Sequence, residues 1–246
     1  MNKVIALWTH PRSISTAMER VMMERGDLKV IHEPFSLLYY AHEKRAPVPF
    51  MHDDPNHPRT YPESKEHVLA AAEQTPVFFK DMCYHCFSHL IDDRDFLERL
   101  ENTFLIREPA KTIASHYAMN PDVSSEEIGY IQEHQVFQKV AEMNGRTPIV
   151  IDADDLEDDP EGTVEAYCSA LGIPFIPDSL HWEPEHKEAW DTWKEWHADA
   201  AKSTGIRKNM EKFEVTVHDH TGLRAFYDYH LPFYQAMHKH RLKPNG

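Results

Sequence analysis

Four side chains suited to gripping an anion fall within five positions near the start of the chain. They are Arg12, Ser13, Ser15 and Thr16, in the run Pro11-Arg12-Ser13-Ile14-Ser15-Thr16. A guanidinium offers phosphate oxygens a charge-assisted fork, and hydroxyls add further donors. The run separates an apolar segment that reads as a buried strand, Val4–Trp8, from an amphipathic segment that reads as a helix, Ser15–Arg25. A helix N-terminus brings unpaired backbone N–H groups and a partial positive charge, so strand, loop and helix together describe a phosphate site. The plain alternative is that Ser15 or Thr16 merely caps the helix and Arg12 is a surface charge. The run lacks a Gly-Lys-Ser/Thr ending, which counts against magnesium-dependent phosphoryl transfer.

A second anion site is written at Thr103-Phe104-Leu105-Ile106-Arg107-Glu108-Pro109, which reads as a strand end followed by a helix start. Pro109 falls in the first helical turn, where its missing donor costs nothing. Arg107 then sits at the carboxyl edge of a sheet, where open α/β sheets bind ligands, and Ser115 follows eight residues on. Taken alone, Arg107 suits a structural ion pair with Glu108 or a neighbour equally well.

These loops need a scaffold. Five short apolar segments read as buried strands: Val4–Trp8, Lys29–His32, Val77–Lys80, Thr103–Arg107 and Pro148–Asp152. Helical patterns lie between them at Ser15–Arg25, Ser64–Glu73, Asp92–Leu100, Ala110–Ala118 and Ser125–Glu142. Strands alternating with helices predict an α/β fold, a parallel sheet covered on both faces. The stretch Phe35–Pro62 breaks the alternation with five prolines and aromatic residues at 35, 39, 40 and 50, as binding loops and lids do. After Gly172 the strands stop. Glu185–Ala201 reads as a helix carrying Trp190, Trp193 and Trp196, and Leu223–His238 as a closing helix. The tryptophans suit core packing, or a wall of a pocket that the aromatic loop closes. No repeat or linker divides residues 1–246, so a single domain is expected.

Composition narrows the chemistry. The 246 residues carry a net charge of −15, from 26 basic and 41 acidic side chains, and no run of Lys and Arg makes a basic patch. Nucleic acid is therefore not an expected partner, and an anionic nucleotide binds only through a focused local site. No apolar run is long enough to span a bilayer, and no charged-then-apolar leader precedes Val4, so no membrane partner and a cytoplasmic location are expected. Three cysteines are too few for a disulfide framework. Cys83-Tyr84-His85-Cys86 has no second pair at zinc-site spacing and reads as helix packing, while His218/His220 and His238/His240 lack a third partner. No metal is expected. The acidic run Asp152–Asp159 reads as a solvated turn and helix start.

Taken together, the two loops resemble the sulfotransferase family that uses 3′-phosphoadenylyl sulfate. Pro11–Thr16 is similar to its 5′-phosphosulfate loop, and Arg107 through Ser115 to its 3′-phosphate loop. Asp154-Asp155-Leu156 to Pro160, followed by Leu171-Gly172-Ile173-Pro174, resembles a segment of bacterial members. The resemblance covers residues 4–176 and implies a three-layer fold like that of P-loop nucleotide triphosphatases, with about five strands and a helical C-terminal part. It implies that Arg12, Ser13, Ile14, Ser15 and Thr16 hold the 5′ end of the donor, and Arg107 with Ser115 the 3′-phosphate. Adenosine 3′,5′-bisphosphate would be the product, and a small molecule the acceptor. Two departures stand out: Ile14 replaces the usual Gly, so the loop must accept a Cβ there, and Ser203–Lys208 only faintly echoes the family's C-terminal Gly-containing loop.

Sulfuryl transfer needs a base for the acceptor's proton and cations over the bridging oxygen. Many members place a His after the third strand, where this chain reads Phe79-Lys80-Asp81-Met82. Other branches place a Glu after the second strand, which makes Glu33 the first candidate base, with His85 and His32 in reserve. Lys80 and Arg12 are then the candidate cations. The alternatives are a surface carboxylate or an Arg12 salt bridge for Glu33, and a solvated strand terminus for Lys80. An atypical P-loop kinase, or a catalytically silent nucleotide-binding protein, remain the rival functions.

Overall fold

A computed structural model, describing residues 2–208 and 212–244, shows the five apolar segments as strands. They are β1 (Val4–Thr9), β2 (Lys29–His32), β3 (Val77–Met82), β4 (Glu101–Ile106) and β5 (Ile149–Asp152), in the order β2-β3-β1-β4-β5. All four pairings are parallel. The helices are α1 (Ser15–Glu24), α2 (Tyr61–Gln74), the single turns α3 (Phe87–Leu90) and α4 (Arg94–Leu97), α5 (Pro109–Met119), α6 (Ser125–Ile128), α7 (Tyr130–Asn144), α8 (Ala153–Asp158), α9 (Pro160–Leu171), α10 (Ala198–Lys202) and α11 (Thr221–His238).

The period of two in β1 sorts the core into layers. Val4, Ala6 and Trp8 join Val68 of α2, Val136 and Val140 of α7, and Leu223 and Met237 of α11. Ile5 and Leu7 meet Met18 and Val21 of α1 and Val164, Tyr167 and Leu171 of α9 on the opposite face. Burial on both faces is why β1 reads as a continuous apolar run. Because every strand is parallel, all five carboxyl ends open on one edge, where the loops after β1, β2, β3 and β4 gather. No described helix is long and apolar enough to cross a membrane.

Four local readings need correction. Lys80 does not end β3, which runs on through Asp81 to Met82 with both polar side chains fully buried; each is paired inside the protein, so its polarity does not signal an end. The helix over Ser125–Glu142 is interrupted at Gly129, whose φ of 86° ends α6 and starts α7. The Asp92–Leu100 helix shrinks to α4, capped by Asp93. Glu185–Ala201 is not one helix but a 3₁₀ stretch, Glu188–Trp193, and the short α10. The tryptophans recur every three residues, the repeat of a 3₁₀ helix rather than 3.6. Their indole N–H groups hold three separate partners, Glu19, Ser36 and the carbonyl of Pro49.

Candidate functional site

The loop between β1 and α1, where a phosphate site is expected, turns on two residues in the left-handed region, Arg12 (φ 64°) and Ile14 (φ 59°). Ile14 stands where the resemblance calls for Gly, and an L-residue there costs on the order of 1–2 kcal/mol. Its half-buried side chain packs against the α1 face of the sheet, which offsets the strain. Ile14 offers no side-chain cap to α1, so Ser15 and Thr16 enter the helix at an uncapped N-terminus. Ser13 does not share this surface: its hydroxyl turns inward to Thr9 Oγ1 at 2.6 Å and the residue is fully buried.

The two anion loops meet. Arg12 Nε donates to Ser115 Oγ at 2.8 Å, and Arg107 Nη1 donates to the Arg12 carbonyl at 3.3 Å. Beneath them, His10 Nε2 accepts the Arg107 backbone N–H at 3.2 Å, and Tyr130 donates to the Arg107 carbonyl at 2.5 Å. Burial, with Arg107 nearby, pushes the His10 imidazole down to about 3, so it stays neutral and keeps the lone pair that this bond needs. Arg107 also pairs with a carboxylate, and it is neither Glu108 nor solvent-separated. Glu157 of α8, itself buried, takes Arg107 Nη2 at 2.8 Å, so the acidic run is not wholly solvated.

A cavity of about 520 Å³ opens beside these loops. Arg12, Ile14, Ser15, Thr16, Arg107 and Ser115 line it together with Glu33 and His85 and the aromatic side chains of Tyr40, Tyr84, Trp193 and Trp196. Ser203, Gly205, Arg207 and Lys208 also border it, so the faint C-terminal echo falls on the site. Of the aromatic loop residues, Tyr40 reaches the cavity, Tyr39 packs behind it, and Phe50 points to solvent.

Glu33, at φ 36°, is paired with the fully buried Lys80 rather than with Arg12. Burial by itself would raise its carboxyl; the Lys80 ammonium and the surrounding histidines outweigh that and hold it well below the ordinary carboxylate range. Lys80 itself stands behind Glu33 and off the cavity surface. His85 is differently placed. Its Nδ1 meets Asp81 Oδ1 at 2.6 Å, and Asp81 is fixed by the backbone N–H groups of Phe35 (2.7 Å) and Met82 (2.8 Å). His85 Nε2 is buried without a hydrogen-bond partner and its residue lines the cavity. Cys83 and Cys86 flank it as buried free thiols, in keeping with a packing role.

One cavity residue left no sequence signal. His197 lines the cavity, bonded through Nδ1 to Thr16 Oγ1 (3.1 Å) and through Nε2 to His32 Nε2 (3.0 Å). His32, Glu33 and His197 bring ligand-type atoms within 4.8 Å of one another. Those atoms are already engaged, the two Nε2 with each other and Glu33 with Lys80, so the set is a hydrogen-bond chain rather than an open coordination sphere.

The arrangement can therefore grip an anionic ligand at two points, and present its cavity to one oriented imidazole and an aromatic wall. The family described as "Sulfotransferase domain" matches residues 2–241. Two Arabidopsis thaliana proteins, branched-chain-amino-acid aminotransferase-like proteins 2 and 1, are 29% and 28% identical to the chain. The matches take in 87% and 97% of this chain but 38% and 42% of theirs, so it spans about two fifths of those relatives. The crystal structure of a sulfotransferase from Alicyclobacillus acidocaldarius superposes with a TM-score of 0.55 at 13% identity, over 98% of this chain and 97% of that one, which establishes a shared fold.

Proposed function

The chain belongs to the sulfotransferase domain family, and we propose that it moves a sulfuryl group from 3′-phosphoadenylyl sulfate to a hydroxyl or amine of a small-molecule acceptor. The carrying observation is the junction of Arg12 with Ser115 and of Arg107 with the Arg12 carbonyl on one cavity wall. One nucleotide with phosphate at both its 5′ and 3′ positions fits such a paired grip. Arg12, Ser15 and Thr16 with the uncapped start of α1 take the 5′ end, and Arg107 with Ser115 the 3′-phosphate.

In the transfer, an acceptor lone pair forms a bond to sulfur while the bond from sulfur to the bridging oxygen breaks. The acceptor's proton leaves to a base, and the bridging oxygen departs with the electron pair and a negative charge that Arg12 offsets. His85 is the better placed base, because its Nε2 is unpartnered and Asp81 holds its ring. Glu33, kept ionised by Lys80, sits beside it and orients the acceptor's hydroxyl or amine. Tyr40, Tyr84 and Trp193 favour an acceptor with an apolar or ring-bearing body. Buried free thiols suit a reducing, cytoplasmic setting. The aminotransferase-like names belong to far longer proteins, and none of that activity is proposed for this chain.

Two measurements test this. Adenosine 3′,5′-bisphosphate should bind much more tightly than ATP, with or without magnesium; equal or inverted preference would favour the kinase and sink the proposal. With donor binding retained, His85→Asn should lower kcat by roughly 10²–10⁴, the usual worth of a general base. A large loss in Glu33→Gln with His85→Asn unaffected would move the base to Glu33.

A further inference from the structure

Four hydrogen bonds in series run from the interior to the phosphate loop. Trp190 Nε1 donates to Glu19 (3.0 Å), Glu19 meets His32 Nδ1 (2.9 Å), His32 Nε2 faces His197 Nε2 (3.0 Å), and His197 Nδ1 faces the Thr16 hydroxyl (3.1 Å). Glu19, His32 and His197 are all buried.

Counting hydrogens fixes the polarity. His32 Nδ1 lies 3.0 and 2.9 Å from the two Glu19 oxygens, one of which already accepts the Trp190 N–H, so His32 Nδ1 is the donor and carries a hydrogen. Two facing Nε2 atoms hold one hydrogen between them. With both rings neutral, His32 has its hydrogen on Nδ1, so His197 Nε2 must supply that one, leaving His197 Nδ1 bare. A bare Nδ1 accepts the Thr16 hydrogen, and Thr16 then shows the cavity only lone pairs. Adding one proton reverses the last link: His197 Nδ1–H donates to Thr16 Oγ1, and the Thr16 hydrogen is released into the cavity as a donor.

We infer that His197, backed by His32 and Glu19, is a positioning residue for the phosphate loop, and that the imidazole pair takes up one proton when the loop closes on the donor's 5′ anion. This rests on the sulfotransferase reading. The charges facing the pair are Glu19 from α1, Glu33 at the end of β2, Lys80 from β3 and Arg12 from the phosphate loop, with His85 beyond Glu33. Lys80 is matched by Glu33. Glu19 is bonded to the indole and to His32, so a proton on the pair supplies the cation that balances it. Burial together with His32 and Lys80 holds the His197 imidazole well below its usual value. A bound anion opposes that repulsion and raises it.

Calorimetric titration with adenosine 3′,5′-bisphosphate at about pH 7.5, in buffers of different ionisation enthalpy, reads the proton number directly; the ligand's phosphates are already largely dianionic there. Wild-type protein should take up about one proton, and its Kd should rise up to about tenfold per pH unit on the alkaline side. His197→Gln, which can still donate to Thr16 but cannot titrate, should bind with no uptake and a flat pH profile. Bisphosphate binding by the wild type without proton uptake, or uptake unchanged in His197→Gln, overturns the relay and leaves the sulfotransferase reading standing. One equivalent of zinc held by the purified wild type and lost in His197→Gln also overturns it. Failure of the wild type to bind the bisphosphate removes both.

Discussion

Arg107 serves two masters. In the proposed function its guanidinium takes a 3′-phosphate, yet Glu157 already accepts from Nη2 at 2.8 Å and Asp154 lies 4.0 Å from Nε. A carboxylate so placed aims the guanidinium but also repels the incoming phosphate. Glu157→Gln keeps an acceptor and removes the charge. Affinity for adenosine 3′,5′-bisphosphate should then rise by about tenfold, about 1.4 kcal/mol, while adenosine 5′-phosphate, lacking the 3′ group, should change little. Equal gains for the two ligands in titration would mean that Glu157 does not face the 3′ position. This residue and His197 mark where sequence reading stopped. Arg12, Arg107 and Ser115 could be picked out as a set because charge and hydroxyls recur where two strands give way to helices, and the structure brings the three to one cavity. Glu157 sits within an acidic run that resembles a solvated helix start, and His197 among tryptophans 181 residues from Thr16. Only tertiary packing brings them in.

At the scale of elements, strand periodicity was the robust signal, since a parallel strand covered on both faces cannot be mistaken for a surface one. Helix ends were weaker, because a glycine inside a helical pattern reads equally as tolerated or as a break. At Gly129 both halves of the case are structural. Its φ is 86°, and a Cβ would lie 3.0 Å from His10 Cβ and 3.4 Å from the Tyr84 ring. His10 in turn holds the Arg107 backbone, so α7 begins where the phosphate loop is anchored. Gly129→Ala should therefore destabilise the protein by about 2 kcal/mol or more, from left-handed strain plus the clash. It should also weaken bisphosphate binding. Urea unfolding with an unchanged m-value measures the first effect; a loss below about 0.5 kcal/mol would show that the α6–α7 break is not enforced by this contact.

The whole molecule closes its sheet with buried ionisable groups set in opposite senses, and the pH dependence of folding follows from their signs. Burial lowers both His10 and His116 to about 3, with Arg107 and Arg12 respectively adding to the effect. Below pH 6.5 the unfolded chain protonates these imidazoles while the folded chain does not, so stability falls as pH drops. The slope is up to about 1.4 kcal/mol per pH unit for each. Glu133 of α7 is the reverse case. It is fully buried, both oxygens lack hydrogen-bond partners, and burial raises its carboxyl well above the usual value. The unfolded chain loses that proton above about pH 4.5 while the folded chain keeps it, so stability falls as pH rises until the folded group ionises. Glu133→Gln preserves shape and neutrality and removes the penalty. The variant should melt higher than wild type at pH 8, with the difference shrinking toward pH 5, while both proteins lose stability together on further acidification. A variant that melts lower than wild type throughout that range would mean that Glu133 is ionised in the folded protein and paired with a cation.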